Sequence, residues 1–504
     1  MRILREIKRF ANDNRIAVVC EGKKMTYKEL DNISESFAAY LINTYGESKE
    51  PVVIYGNKDN LIIALMMGAL KAGRAYVPID VTFPMDRVGQ IIKDVEAKVI
   101  INFTDENLGD EKVLSKKDVL SYIDKYKDME VNQNYWVKDD ENVYILFTSG
   151  STGKPKGVQI NCNNIDSFTS WFEKYLDLDS NEGVVMNQVS YSFDLSVVPL
   201  YMGLIKGKTL YSLSKHTLED FKLLFEELNK SEISTWISTP TFASICTKYE
   251  GFNSKEIPSI NKFCFSGEVL PKELAKELME RFPSARIING YGPTEGTVFI
   301  TATDITKDML MDERGLPVGK PMEGITLKVI DQNGNVLGDG EKGELIAIGK
   351  SISKGYFNND EITKKVFFTE EQDGKLVGGY KTGDLAYFEN GIVHYCGRKD
   401  FQIKLNGFRI EIEDIENNLR RVENISNCAV LPVYKDDKIA HLAGFVSLKK
   451  ENGLSSLKNS IIIKEELKKY IPSYMIPRTI KVINEFPVNT NGKIDRKKLM
   501  GEIK

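Results

Sequence analysis

Thr148–Gly157, TSGSTGKPKG, concentrates in ten residues the groups that hold a polyphosphate. Thr148, Ser149, Ser151 and Thr152 supply hydroxyl donors and Lys154 and Lys156 supply charge, while Gly150 and Gly153 let the backbone approach a ligand closely. The apolar run VYILF before it reads as a buried strand, so the loop leaves a rigid element. The Walker pattern GxxxxGK(S/T) is not met, because Pro155 stands where Ser or Thr is required, and a Walker-type ATPase or kinase is disfavoured. Four more segments are denser in polar residues than a plain globular domain requires: SYSFDLS at 190–196, NGYGPTE at 289–295, YKTGD at 380–384 with GRKDFQIKLNGFR at 397–409, and PVNTNGKIDR at 487–496.

In order and spacing these five segments resemble the core motifs of the adenylate-forming superfamily, which includes acyl-CoA synthetases, luciferases and the adenylation domains of nonribosomal peptide synthesis. The resemblance covers essentially the whole chain. It implies an enzyme that uses ATP and Mg2+. A carboxylate attacks the α-phosphate to give an acyl adenylate and pyrophosphate, and a thiol then displaces AMP. Such a reaction needs no protein nucleophile. Catalysis comes from positioning and charge stabilisation, where loss of one well-placed donor costs about 10²- to 10³-fold.

The resemblance also implies roles residue by residue. Lys493 in NGKID bridges the substrate carboxylate and the α-phosphate; a solvated lysine is the alternative, which suits Lys497 or Lys498 better. Thr294 contacts the α-phosphate and Glu295 helps hold Mg2+, a hard cation suited to a carboxylate plus phosphate oxygens, although a carboxylate after a Gly-Pro turn is, in isolation, more often a helix cap. Tyr291 stacks on adenine and Asn289 bonds it, unless both are simply buried strand-end residues. Asp384 and Arg398 contact the ribose, since a carboxylate accepts from both hydroxyls. Asp400 is the hinge of a mobile C-terminal domain, and Lys404, Gly407 and Arg409 belong to the loop that enters the site for thioester formation.

Asp194 bears on which acid is activated. In amino-acid-activating members, an aspartate at this place in FDxS binds the α-ammonium group. At about 4 Å and an effective dielectric near 20, that pair is worth about 4 kcal/mol before desolvation. The alternative is an N-cap on the helix LSVVPLYMGLIKG. By motif, the rest of the pocket is Leu195, Val198, Ile237, Cys264, Ser266, Gly290, Val298 and Phe299, although core packing also explains Leu195, Val198 and Ile237. None is charged, which points to a neutral side chain of small to medium size. Within the superfamily the chain most resembles the stand-alone ligases that load D-alanine onto the phosphopantetheine of a carrier protein for teichoic acid D-alanylation. TSGSTGKPKGVQI, SFDLSV, SGEVLP, YMIPR and NGKIDRKKL carry that likeness. One departure is Ser266, where those ligases usually have Cys. Another neutral amino acid, for nonribosomal peptide synthesis, is the alternative substrate. A CoA ligase for a simple acid is disfavoured by Asp194, and a nucleotide-binding non-enzyme has no need of Lys493 or Arg409.

The elements that must position these residues follow from periodicity. PVVIYG, AYVPID and KVIINF alternate with helical patterns, and after the glycine-rich loop STWIST, KFCFSG and ARIING do the same, which is the signature of βα units around largely parallel strands. After Gly315 the pattern becomes short strands and turns, with a hairpin signal at Asn333-Gly334, so a small antiparallel sheet or barrel is expected. The charged stretch GRKD sets a boundary. Residues 1–398 form a large ATP- and amino-acid-binding domain of α/β and β character, and 399–504 a small α+β domain carrying the catalytic lysine.

Net charge is −4 over 504 residues, which excludes a general polyanion or nucleic-acid binder. Charge is uneven: residues 401–504 carry about +6 and the rest about −10, which offers complementarity to the acidic carrier protein the resemblance implies, or is simply a solvated basic tail. Six scattered cysteines and three histidines make neither a zinc site nor a disulfide framework. The N-terminus, with Ile3, Ile7 and Phe10 on one helical face, is not a signal peptide, and LIIALMMGAL is too short for a membrane span, so a cytoplasmic protein is expected.

Overall fold

The computed structural model describes residues 1–109, 113–150, 154–178, 183–400, 402–435, 438–450, 452–487 and 494–501. The chain forms two compact units. One comprises Met1–Val81, Asp94–Leu146 and Gly157–Lys399, the other Thr82–Lys93, Phe147–Lys156 and Asp400–Lys504.

In the first unit the β-branched runs become Val52–Tyr55, Tyr76–Ile79 and Val99–Asn102, which pair in parallel. Every residue of the first two is buried, because a parallel sheet covered on both faces has no polar side. The sheet runs in the order Val113–Ser115, Val99–Asn102, Val52–Tyr55, Tyr76–Ile79, Asn142–Thr148, Lys156–Asn161. Against it lies the helix Asn60–Lys71, started by Asp59, whose side chain accepts from the Leu61 N–H, and buried from Leu61 to Lys71. Burial of the Lys71 ammonium is matched by Asp31 at 2.6 Å and Glu35 at 2.9 Å.

A second sheet has nine strands. Its centre is six parallel strands: Arg286–Tyr291, Lys262–Phe265, Ile233–Ser238, Val184–Asn187, Thr209–Ser212 and Ile16–Cys20. Thr301–Asp304 and Lys23–Thr26 flank these as antiparallel neighbours, and Lys320–Pro321 pairs with Thr301–Asp304 at the edge as the ninth described strand. Asn289–Tyr291 and Ser266 lie at or just beyond the carboxyl ends of their strands, where open α/β sheets bind ligands. After them comes an antiparallel sheet of Ile325–Ile330, Gly343–Gly349, Lys375–Glu389, Phe367–Gln372 and Ile392–Arg398. The turn at Asn333-Gly334 forms, with Gly334 at φ +87°. In this sheet Asp384 and Arg398 are direct cross-strand partners.

The second unit contains the hairpin Gln402–Leu405 and Phe408–Glu411. Asn406 and Gly407, at φ +52° and +82°, make the two-residue turn that a tightly twisted hairpin demands. The helix Ile412–Leu419 follows, then Ile425–Lys435 antiparallel to Lys438–Leu448, with Thr479–Val482 parallel to the latter. Among the described residues no helix is long and apolar enough to cross a membrane.

Candidate active site

Asp194 lies in a single 3-10 turn, Asp194–Ser196, ahead of the helix Val197–Ile205. That helix has no side-chain cap at its start, so the N-cap alternative for Asp194 does not hold. Its carboxylate is instead the acceptor for Thr294, whose Oγ1 donates to Oδ2 at 2.6 Å, and the two motifs a hundred residues apart thereby meet. Leu195, Val198, Ile237, Cys264, Val298 and Phe299, expected by motif to complete the pocket, belong to one buried cluster. Ser266 and Gly290 are buried too. A Cβ on Gly290 would come within 3.1 Å of the Phe299 ring, so the glycine gives that ring its room. Phe299 meets Phe168 and Phe172 edge-on, with centroids 6.0 and 5.1 Å away.

The backbone after Glu295 is strained. Thr297 and Val298 sit at φ +62° and +72°, a region β-branched residues rarely enter, at a cost of about 1–3 kcal/mol each. The strain is held by the Thr297 hydroxyl, which donates to the Ser351 carbonyl at 2.6 Å, and by the Ile300 N–H bonding the Tyr291 carbonyl at 2.8 Å. Glu295 is fully buried, and the Tyr356 hydroxyl donates to its Oε1 at 2.7 Å. Among the described residues no group of three or more His, Cys, Asp or Glu is placed to hold a metal. A single fixed carboxylate fits a hard cation that takes its remaining oxygens from phosphate and water.

In the same unit, Asp384 is buried between two donors. Tyr291 donates from its hydroxyl to Oδ2, and Arg398 donates to Oδ1 at 2.7 Å. Burial, and then the adjacent carboxylate, push the Tyr291 phenol well above its usual range, so it stays a neutral donor. Each carboxylate oxygen retains a further acceptor position for a ribose hydroxyl. Asn289 donates its amide to the Pro317 carbonyl at 2.9 Å, which orients its oxygen.

In the second unit a Cβ on Gly150 would lie 2.2 Å from the Lys154 carbonyl oxygen, so only glycine fits. The Thr148 hydroxyl is buried and has no hydrogen-bond partner among the described residues, as a donor reserved for a ligand would be. Ser149 is engaged, donating to the Arg409 carbonyl at 2.8 Å and accepting from the Glu411 N–H at 3.1 Å. Lys156 lies 3.5 Å from Glu411. Phosphate would have to replace these contacts at Ser149 and Lys156. Lys154 is exposed. The Arg409 guanidinium donates to Gln402 at 2.8 Å, Lys404 is its cross-strand neighbour, and Asp400 begins the unit's C-terminal segment. Ser151, Thr152, Gly153 and Lys493 lie outside the described residues.

Three residues at the site escape a reading by motif. Tyr356, Phe168 and Phe172 sit in segments of ordinary composition, and only the i, i+4 spacing of the two phenylalanines hinted at a shared helical face.

Comparison with known proteins adds family context to this geometry. The AMP-binding enzyme family matches residues 6–357, and the AMP-binding enzyme C-terminal domain matches 414–493. The D-alanine–D-alanyl carrier protein ligase of Listeria monocytogenes serotype 4a is 42% identical over 490 residues, covering 96% of this chain and 95% of that protein. The ligase of the same name from Bacillus cereus is 38% identical over 507 residues, covering the whole of both. Among solved structures, the Vibrio cholerae adenylation domain AlmE in complex with glycyl-adenosine-5'-phosphate superposes with a TM-score of 0.82 at 22% identity, covering 100% of this chain and 97% of that one. The o-succinylbenzoate CoA synthetase of Bacillus subtilis gives 0.83 at 20%, covering 99% and 98%. At those identities the likeness concerns the fold.

Proposed function

Because this chain belongs to the AMP-binding enzymes, we propose that it activates D-alanine as an aminoacyl adenylate and passes it to the phosphopantetheine thiol of a carrier protein. The observation that supports an amino-acid substrate is the Asp194–Thr294 contact. It sets an anion for the α-ammonium beside the hydroxyl expected at the α-phosphate, and the pocket residues expected by motif are uncharged. The names of the Listeria and Bacillus relatives, over the full chain, support D-alanine and the carrier.

In the first half-reaction the substrate carboxylate oxygen bonds the α-phosphorus and the α–β bridging bond breaks, so that pyrophosphate leaves with that electron pair. Lys493 neutralises charge between carboxylate and α-phosphate, Thr294 donates to the α-phosphate, and the Thr148–Lys156 segment binds the departing phosphates. Mg2+, held through Glu295, would supply charge neutralisation on the phosphates. Asp384 and Arg398 fix the ribose while Tyr291 and Asn289 fix the base. In the second half-reaction a thiolate displaces AMP from the acyl carbon and leaves a thioester, with Arg409 and Lys404 on the entering hairpin and Asp400 as the pivot. Residues 1–398 then bind ATP and amino acid, and 399–504 deliver the lysine and the hairpin in turn. The cytoplasm supplies ATP and the carrier, and D-alanyl thioester there would feed teichoic acid D-alanylation.

Ser266, buried just after the strand Lys262–Phe265, favours a second reading in which another small neutral amino acid is the substrate. Amino-acid-dependent ATP/pyrophosphate exchange across D- and L-alanine, glycine, serine, larger neutral amino acids, acetate and benzoate decides between them. Exchange foremost with D-alanine is expected. Exchange with acetate or benzoate and with no amino acid would overturn the proposal.

A further inference from the structure

The helix Ser456–Leu467 in the second unit is amphipathic the wrong way round at its start. Its buried positions include Asn459 and Ser460 alongside Ile463 and Leu467. Leu457 and Ile461, one turn apart, are 72% and 55% exposed; Ile462 is 49% exposed, and Leu454, just before the cap Ser455, 40%. Single exposed aliphatics are ordinary on a protein surface, but four on one turn-plus-helix form a contiguous patch, the mark of an interaction site. Lys449 and Lys450, at the entrance to that turn, and Lys458, beside Leu457, are exposed. Among the described residues no carboxylate pairs with any of these three, whereas Lys468 and Lys469 further along are paired with Glu465 and Glu466 at 2.5 and 2.6 Å.

We infer that this strip is where the carrier protein docks, through an apolar ridge flanked by carboxylates. An apolar centre with a cationic rim matches a partner of opposite rim charge, which raises the rate of encounter and fixes the register. A second copy of this chain fits worse: a two-fold contact through the strip brings the same lysines onto one another. The surrounding domain carries the excess positive charge of the chain, about +6 against about −10 elsewhere, in line with an acidic partner. The inference rests on the carrier-dependent transfer proposed above and specifies its contact surface.

The test uses the full-length enzyme, a holo carrier protein that the wild type acylates, and free pantetheine as a thiol that needs no docking. In the double variant Leu457→Asp, Ile461→Asp the KM for the carrier should rise about tenfold or more, while amino-acid-dependent pyrophosphate exchange and transfer to pantetheine stay at wild-type values. Lys458→Glu, which leaves the apolar residues intact, should raise the carrier KM and flatten its salt dependence. A carrier KM within about twofold of wild type in both variants would overturn the docking site, as would an equal fall in transfer to pantetheine. It would also be overturned if the double variant instead dissociated a wild-type dimer, or lost binding to phosphatidylglycerol vesicles, with the carrier KM unchanged. A wild-type enzyme that exchanges pyrophosphate but acylates no carrier would refute the transfer reading itself, a result distinct from all of these.

Discussion

Replacing Asp194 by asparagine removes one charge and almost nothing else. The amide oxygen can still accept from the Thr294 hydroxyl, now 2.6 Å from Oδ2, so the turn Asp194–Ser196 and the buried neighbours Leu195 and Val198 should keep their places. What is lost is attraction for the α-ammonium group: about 4 kcal/mol at about 4 Å with an effective dielectric near 20. Asp194 is half-buried, not fully enclosed, so solvent screening and the desolvation of both charges reduce this to about 2–3 kcal/mol. That corresponds to about a 30- to 150-fold fall in kcat/KM for the amino acid. Steady-state pyrophosphate exchange measures it directly, with ATP and amino acid varied in turn. The KM for ATP should stay near wild type, because Tyr291, Asp384 and Arg398, the residues proposed to hold the nucleoside, form a separate hydrogen-bonded group. A loss smaller than about threefold, or one that appears mainly in the KM for ATP, would refute the assignment of Asp194 to the ammonium.

Lys493→Ala should abolish adenylate formation and leave thioester formation from preformed aminoacyl adenylate largely intact; equal loss in both half-reaction assays contradicts its role. Tyr356→Phe removes the hydroxyl that holds Glu295 Oε1 and should weaken divalent-ion affinity by about 10- to 150-fold, from the worth of a hydrogen bond to a charged group. Mn2+ binding followed by electron paramagnetic resonance in the presence of ATP reads this apart from turnover, and unchanged affinity would show that Glu295 needs no such support. Burial, then Arg314, push the His394 imidazole below its usual 6.5. The native state therefore takes up fewer protons than the unfolded chain below that value, so this contribution to stability is complete above pH 6.5 and declines as pH falls through it. In His394→Gln the drop in Tm between about pH 7.5 and 5.5 should be smaller than in wild type, and an identical drop would exclude the histidine as its source.

The parts of this fold that local chemistry determines were legible in the chain. VVIY, YVPI and VIIN are apolar without alternation, and a strand buried on both faces is the only way to satisfy such a run at that length. Asn406-Gly407 is a hairpin turn because both residues accept positive φ, and Gly150 is obligatory because a Cβ there would meet the Lys154 carbonyl oxygen. Motif order likewise singles out Asp194 and Thr294, which meet in the fold, and Tyr291 and Asp384, which do the same.

What stayed hidden is what distant segments do to one another. No propensity predicts that Thr297 and Val298 adopt left-handed backbone, since isolated β-branched residues avoid it. They are forced there by bonds from Thr297 to Ser351 and from Ile300 to Tyr291, partners that only the closed fold supplies. The same tight turn points Glu295 into the interior against Tyr356 and sets Thr294 on Asp194. A composition-based reading makes the carboxylate of a Pro-Thr-Glu segment a helix cap, because capping is local and burial is not. Once Tyr356 and Asp194 are seen as the partners, the strain has a physical purpose: relaxing residues 297 and 298 to ordinary backbone would redirect the chain that carries Thr294 and Glu295, and with it the two oxygens on which the proposed adenylation depends.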